Sequence, residues 1–154
     1  MSIAAWRITK RRHVKTAFTG SGARKFGGRW NSPATSIVYT SETQSLAVLE
    51  MLVHLEQPDL LQAYVLIGIS IEPGLTETLD NRRLPRNWRT GASSIALRKL
   101  GDEWATNQSS VALRVPSVLV PSESNILLNP AHPDFQKLLI GEPVTFAFDE
   151  RLGL

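Results

Sequence analysis

The chain contains no cysteine. That absence removes disulfides, thiolate metal ligands and cysteine nucleophiles together. Histidine is nearly as scarce: His13, His54 and His132 are the three in 154 residues. No His-Glu-x-x-His pattern or other ligand cluster surrounds them, so no metal is expected. There is no Gly-x-Ser-x-Gly elbow, which argues against an acyl hydrolase, and no pair of carboxylates at glycosidase spacing can be assigned. No apolar run approaches the length of a membrane span. The basic N-terminus, with Arg7, Lys10, Arg11 and Arg12, is not followed by an apolar stretch of signal-peptide length. A cytoplasmic protein without membrane association is the expectation. Acid is also missing from the start of the chain, where Glu42 is the first carboxylate.

What is present is ordinary globular material. Hydrophobic residues make up 42% and charged residues 20%, and the length suits a single domain spanning residues 1–154. The net charge of +3 gathers in Arg7–Arg29 and again in Arg82–Lys99. Such a balance suits an anionic partner or merely a solvated surface. No helix-turn-helix, zinc-finger or aromatic RNA-binding signature accompanies it, so direct nucleic-acid binding is not expected. A non-enzymatic module that binds nucleic acid through Arg82–Lys99 is the alternative from another class.

Hydrophobic periodicity and turn residues predict an α+β fold of short strands with two or three helices. Ala5–Ile8 reads as a first strand, with Arg7 on the face opposite Trp6 and Ile8. Gly20–Pro33 reads as loop throughout. Ser36–Tyr39 reads as a strand, followed by a capping box with Ser41 at the N-cap and Gln44 three residues on. The helix it starts should run from Glu42 to Leu55 and, being apolar nearly all round, lie buried. Tyr64–Ile71 is a strong strand and Thr76–Thr90 is irregular. Ser93 or Ser94 caps a second helix that reaches Trp104, with Ile95, Leu97, Leu100 and Trp104 facing inward. Val111–Val120 is a strand interrupted by Pro116, which suggests a bulge or an edge position. Asn125–Asn129 is another strand, His132–Leu139 a short helix or turn, and Val144–Phe148 a closing strand.

The stretch Gly20–His54 carries the chemistry. Gly27-Gly28-Arg29 sets a guanidinium beside flexible backbone amides, a combination suited to phosphate or carboxylate, though from the loop alone a tight turn with a surface arginine is the favoured reading. Glu50 is the sole acid between Leu46 and Leu55. A buried carboxylate needs a partner or a polar cavity. The choices are a structural salt bridge to an arginine of the preceding loop, or a carboxylate at the floor of a cleft. His54 lies one turn further on, where it either orients Glu50 or packs. One isolated acid with arginine, tyrosine and serine suits cleavage of a glycosidic bond whose leaving group is already cationic. Nicotinamide departing from NAD+ needs no general acid, and a single carboxylate can stabilise the oxocarbenium-like centre.

Several blocks resemble the RES domain family. They are Gly22-Ala23-Arg24, Gly27-Gly28-Arg29-Trp30-Asn31-Ser32-Pro33, Val38-Tyr39-Thr40-Ser41, Ser45 through His54, Val115-Pro116-Ser117 and Asn125 through Pro133. The resemblance runs from Arg7 to Phe146. It implies an ADP-ribosyltransferase-like split β core with a few flanking helices around an NAD cleft. It implies the toxin of a bacterial type II toxin–antitoxin pair that degrades NAD+ by hydrolysis or phosphorolysis; the alternative is mono-ADP-ribosylation of a cellular protein. The implied partner is an Xre-type helix-turn-helix antitoxin in a hetero-oligomeric complex. Carried over by motif, Arg29, Tyr39, Glu50 and Ser117 are the catalytic set, and Arg7, Arg29, Tyr39 and Ser117 contact NAD+. Ser109, Ser110 and Ser122 are the other serines near Ser117.

Overall fold

The structure, a computed structural model, describes residues 1–91 and 94–153. Eight strands form one sheet: β1 (Ile3–Lys10), β2 (Val38–Ser41), β3 (Tyr64–Ile71), β4 (Thr76–Thr78), β5 (Ala112–Pro116), β6 (Ser124–Leu128), β7 (Leu139–Ile140) and β8 (Val144–Phe146). The helices are α1 (Ser21–Phe26), α2 (Gln44–Leu52) and α3 (Ser94–Asn107). The strand order is β4-β5-β6-β2-β1-β3-β7, with β8 also on β3. Every pairing is antiparallel except β4 with β5.

The sheet is split in its middle. β1 pairs with β3 along its whole length, from Ile3↔Ile71 to Lys10↔Tyr64. β2 pairs with β6 from Val38↔Leu128 to Ser41↔Asn125. The halves meet at one register pair, Trp6↔Ser41. The expected split α+β architecture is therefore the one found.

Each half has its own cover. Trp6, Ile8 and Tyr64 pack with Ala47, Val48 and Met51 of α2. Tyr39, Leu113, Val115 and Leu127 pack with Trp30 and with Leu97 and Trp104 of α3. A third cluster, with Ala5, Val38, Ile69, Ile126 and Leu128, fills the opposite face. α2 and α3 thus cover separate halves of one face, and the split lies between them.

Several boundaries differ from those predicted, each for a physical reason. The segment read as loop holds α1, between Gly20 and Gly27, whose φ of 71° and 76° lie in the left-handed region where glycine sits without strain. Residues that look like punctuation within a loop are the ends of a helix. α2 is capped by Thr43, whose hydroxyl accepts from Leu46 N at 3.1 Å. Ser41 instead ends β2, and its hydroxyl is taken by Asn125. α2 stops at Leu52, and it is buried only on the sheet side: Leu49 and Val53 are exposed because no layer lies over its outer face. Ile95 of α3 is also exposed, whereas Leu97 and Trp104 face the core as expected. Ser93, one proposed cap of α3, lies outside the described residues. β5 ends at Pro116, which pairs with Ser124 of β6 alone because β4 reaches only as far as Arg114, so Pro116 occupies an edge position and no bulge interrupts the β5–β6 register. The segment read as irregular after Thr76 begins with β4, paired to β5 through Thr76↔Ala112 to Thr78↔Arg114.

Gly101 of α3 lies directly against the backbone of Trp30, and a Cβ there would overlap the Trp30 carbonyl. Gly101→Ala is therefore expected to lower stability by about 1–3 kcal/mol, because overpacking outweighs the gain in helix propensity of about 1 kcal/mol. Urea denaturation checks this; a variant as stable as the parent would mean that the helix–loop contact is loose.

Candidate functional site

The split is where the chemistry gathers. Beyond Trp6↔Ser41 the strands part, and the ladder no longer supplies donors to β2. Arg7 fills the gap: its Nη1 donates to the Tyr39 main-chain carbonyl at 2.9 Å. Its Nε is shut off from solvent and has no hydrogen-bond partner among the described residues. Burial pushes the Arg7 guanidinium down to about 10, so it is still a cation at neutral pH. No carboxylate pairs with it among the described residues.

Glu50 projects from α2 towards the other half-sheet. Its Oε1 accepts from Ser117 Oγ at 2.8 Å and from Asn125 Nδ2 at 2.8 Å. Oε2 takes no hydrogen bond among the described residues. Both donors are neutral, so the salt-bridge reading of Glu50 is not what the structure holds. Ser117 follows the end of β5, and its oxygen accepts from Leu119 N and Val120 N at 3.1 Å each. Asn125 lies on β6 opposite Ser41, whose Oγ donates to Asn125 Oδ1 at 2.8 Å. His54 lies past the end of α2 and is exposed, so it neither orients Glu50 nor packs in the core.

Tyr39 anchors the glycine-rich loop. Its hydroxyl donates to Asn31 Oδ1 at 2.6 Å and accepts from Trp30 N at 3.1 Å. Asn31 in turn donates to the carbonyls of Ala23, Ser32 and Thr35, and Ser32 N donates to Asp102 Oδ1 of α3 at 2.9 Å. Burial pushes the Tyr39 phenol up, Trp30 N–H opposes this, Asp102 reinforces it and Arg29 opposes it. Tyr39 therefore stays protonated through the neutral range and is no general base. Arg29 itself is exposed and forms no ion pair among the described residues. Tyr39→Phe is expected to cost about 1–3 kcal/mol, because Trp30 N–H and Asn31 Oδ1 each lose a buried partner. Thermal unfolding would show it; an unchanged midpoint would mean that the loop is held without the phenol.

The predicted residues thus form two connected groups. Glu50 and Ser117 are in direct contact, and Arg7, Tyr39 and Arg29 cluster around β2. Ser41 links the groups, since it lies two residues from Tyr39 on β2 and bonds Asn125, which bonds Glu50. Sequence reasoning gave Asn125 no role and Ser41 only that of a helix N-cap; the distance of 84 positions between them leaves no local signal of their contact. The other serine candidates lie elsewhere: Ser109 and Ser110 bond Glu77, and Ser122 is exposed. A concavity of about 400 Å³, lined by Leu84, Pro85, Arg86, Trp88, Pro116 and Pro121 among others, abuts the residue before Ser117.

The basic stretch Arg82–Lys99 is largely engaged within the chain. Arg82 pairs with Asp80, Arg83 with Glu103, Arg89 with the Val118 carbonyl and Arg98 with Ser94. The first two are ion pairs, whereas the neutral acceptors leave the charges of Arg89 and Arg98 in place. No helix is long and apolar enough to cross a membrane, and no group of three or more His, Cys, Asp or Glu could hold a metal, both among the described residues.

Comparison with known proteins follows the same lines. The RES domain model matches residues 4–149. A protein of Yersinia enterocolitica (serotype O:8 / biotype 1B, strain NCTC 13174 / 8081) named Toxin Res is 41% identical over 148 residues, which cover 96% of this chain and 97% of that one. A Prs ADP-ribosylating toxin of Sphingobium sp. (strain YBL2) is 33% identical over 157 residues, covering 99% and 98%. Among solved structures, the crystal structure of the M. tuberculosis MbcT–MbcA toxin–antitoxin complex aligns with a TM-score of 0.76 at 19% identity, covering 96% of this chain and 85% of that one. The family model and these relatives span nearly the whole chain, split sheet included: the chain belongs to the RES domain family, with an ADP-ribosyltransferase-like fold.

Proposed function

We propose that this protein is the toxin of a toxin–antitoxin pair and that it cleaves the nicotinamide–ribose bond of NAD+. One observation carries the reading. Arg7 is a half-buried cation whose Nε is shut off from solvent and which meets no carboxylate among the described residues, beside the split that Glu50 spans with a carboxylate held by neutral donors alone. A buried charge without a partner is costly, and an anionic ligand supplies what the protein leaves out. The pyrophosphate of NAD+ offers that anion to the guanidinium. Arg29 on its loop is free to add a second cation, and the half-buried Tyr39 ring offers a face to the nicotinamide.

The reaction needs little from the protein beyond position and charge. The bond between ribose C1′ and the nicotinamide nitrogen breaks, and its electron pair neutralises the pyridinium, which leaves as nicotinamide. Glu50 stabilises the positive charge that develops at the ribose and holds a ribose hydroxyl. An oxygen of water or phosphate then bonds to C1′ and releases its proton to solvent. Ser117 acts through Glu50. The protein would work in the cytoplasm, with an Xre-type helix-turn-helix antitoxin restraining it in a hetero-oligomeric complex; the toxin–antitoxin assembly of the mycobacterial fold relative supports an antitoxin partner.

A second reading has its own support. The Sphingobium relative is named for ADP-ribosylation, so a protein side chain is the competing acceptor. Purified toxin free of antitoxin, incubated with NAD+ with and without phosphate, is expected to release nicotinamide; no release in either condition would reject cleavage with these acceptors. Labelled NAD+ added to cell lysate separates the second reading, because label retained on one protein band means transfer.

A further inference from the structure

Ser117 is a saturated hydroxyl. A serine offers one proton and two lone pairs. The proton goes to Glu50 Oε1, and the oxygen receives Leu119 N and Val120 N. The other donor to Glu50 is Asn125, and its amide is pinned at both ends. Ser41 Oγ donates to Oδ1 at 2.8 Å, and Nδ2 reaches Glu50 at 2.8 Å. The reverse orientation would set the amide oxygen against the carboxylate, which repels it. Ser41 and Asn125 are register partners across β2 and β6, and Ser41 also faces Trp6 at the one pair joining the half-sheets.

We propose that Asn125, locked by Ser41, is the positioning residue that ties Glu50 of α2 to the sheet and turns Oε2 towards the ribose. The inference rests on the NAD+-cleaving reading. Its geometric content is that a strand-to-strand hydrogen bond at the join of the two halves is transmitted to the reacting carboxylate. α2 packs on the β1 half, whereas Ser117 and Asn125 belong to the other. The two bonds to Oε1 therefore span the split, and Glu50 is aimed only while both halves are in register. On the elements adjoining α2, Glu42 pairs with Arg114 at 2.6 Å, Glu123 accepts from Thr43 and Arg7 donates to the Tyr39 carbonyl, and none of these charged groups bonds Glu50 among the described residues.

Steady-state kinetics on the full-length toxin test this, with NAD+ as substrate and Asn125→Asp, Asn125→Leu and Ser41→Ala as variants. Asn125→Leu is expected to lower kcat by about 10–100-fold with little change in KM, as misplacement of a reacting group does. Asn125→Asp places a second carboxylate against Glu50 and should lower kcat similarly. It should also move the acid limb of the rate profile up by about one pH unit, because a neighbouring like charge disfavours ionisation. Ser41→Ala leaves the backbone register intact and should lower kcat several-fold in the same sense. A merely structural Asn125 would lower the melting temperature and leave kcat and the acid limb of the folded fraction unmoved, which overturns the inference. Should neither Asn125 variant fold, parental kcat in Ser41→Ala overturns it. A parental protein that does not turn over NAD+ rejects the functional reading and this inference with it. An active parent with unaffected variants rejects this inference alone.

Discussion

Glu50→Gln is expected to lower kcat for NAD+ cleavage by about 10²–10³-fold, the range found when one electrostatic stabiliser of a transition state is removed. Growth arrest on expression should vanish with it. The fold should survive, because a glutamine carbonyl can accept the same two hydrogen bonds that Oε1 takes from Ser117 and Asn125. What disappears is the negative charge, and the amide group that replaces Oε2 is a donor facing a centre that is losing electrons. Stability should change by no more than about 1 kcal/mol, since no buried partner is orphaned. The measurement is nicotinamide release beside a urea unfolding curve of the same preparation. Retained toxicity in a folded Glu50→Gln protein would count against hydrolysis, phosphorolysis and ADP-ribosyl transfer together, because all three pass through the same positively charged ribose.

The part of this site that could be read in the sequence is the part written in neighbouring residues. Glu50 stands out because every residue around it from Leu46 to Leu55, apart from His54, is neutral and mostly apolar. Tyr64–Ile71 could be assigned to the residue, because an eight-residue run, apolar but for Gly68 and Ser70, ends in Glu-Pro-Gly. The features that were missed depend on partners far along the chain. Ser41 looks like an N-cap because serine followed by glutamine three positions on satisfies a local rule. In the fold its hydroxyl goes to Asn125, and Thr43 caps the helix in its place. The exposed Leu49 and Val53 were misread for a related reason: composition reports how apolar a helix is, whereas burial depends on what is laid over each face. The same limit applies to Arg7. Its place on the first strand was legible, but its role in closing the gap between β1 and β2 follows from a sheet that splits after one register pair.

Arg7→Met separates stability from function at that gap. Methionine has a similar length and can fill the same volume, but it carries neither the charge nor the donors. In the parent a half-buried cation has its Nε shut off from water and unbonded, with no carboxylate beside it among the described residues. Removing it relieves that desolvation at the cost of one hydrogen bond to the Tyr39 carbonyl, about 1.5–3 kcal/mol for a charged donor. Replacing buried charge by apolar side chains gains about 1–4 kcal/mol, so the variant is expected to be as stable as the parent or more so at neutral pH. Activity should go the other way, with NAD+ affinity and kcat/KM falling by about 10²-fold or more, the loss of a charge-assisted contact to substrate. The pH dependence gives an internal check. The folded guanidinium titrates at about 10, below its ordinary range, so the charge weighs fully on the fold below that pH. Deprotonation above it relieves the fold, and parental stability should rise relative to Arg7→Met as pH is raised through 10. Chemical denaturation at pH 7 and pH 10.5 measures the difference directly. A variant that is markedly less stable at pH 7 would make Arg7 a structural bolt between the half-sheets, and would remove the main reason to place an anionic substrate against it.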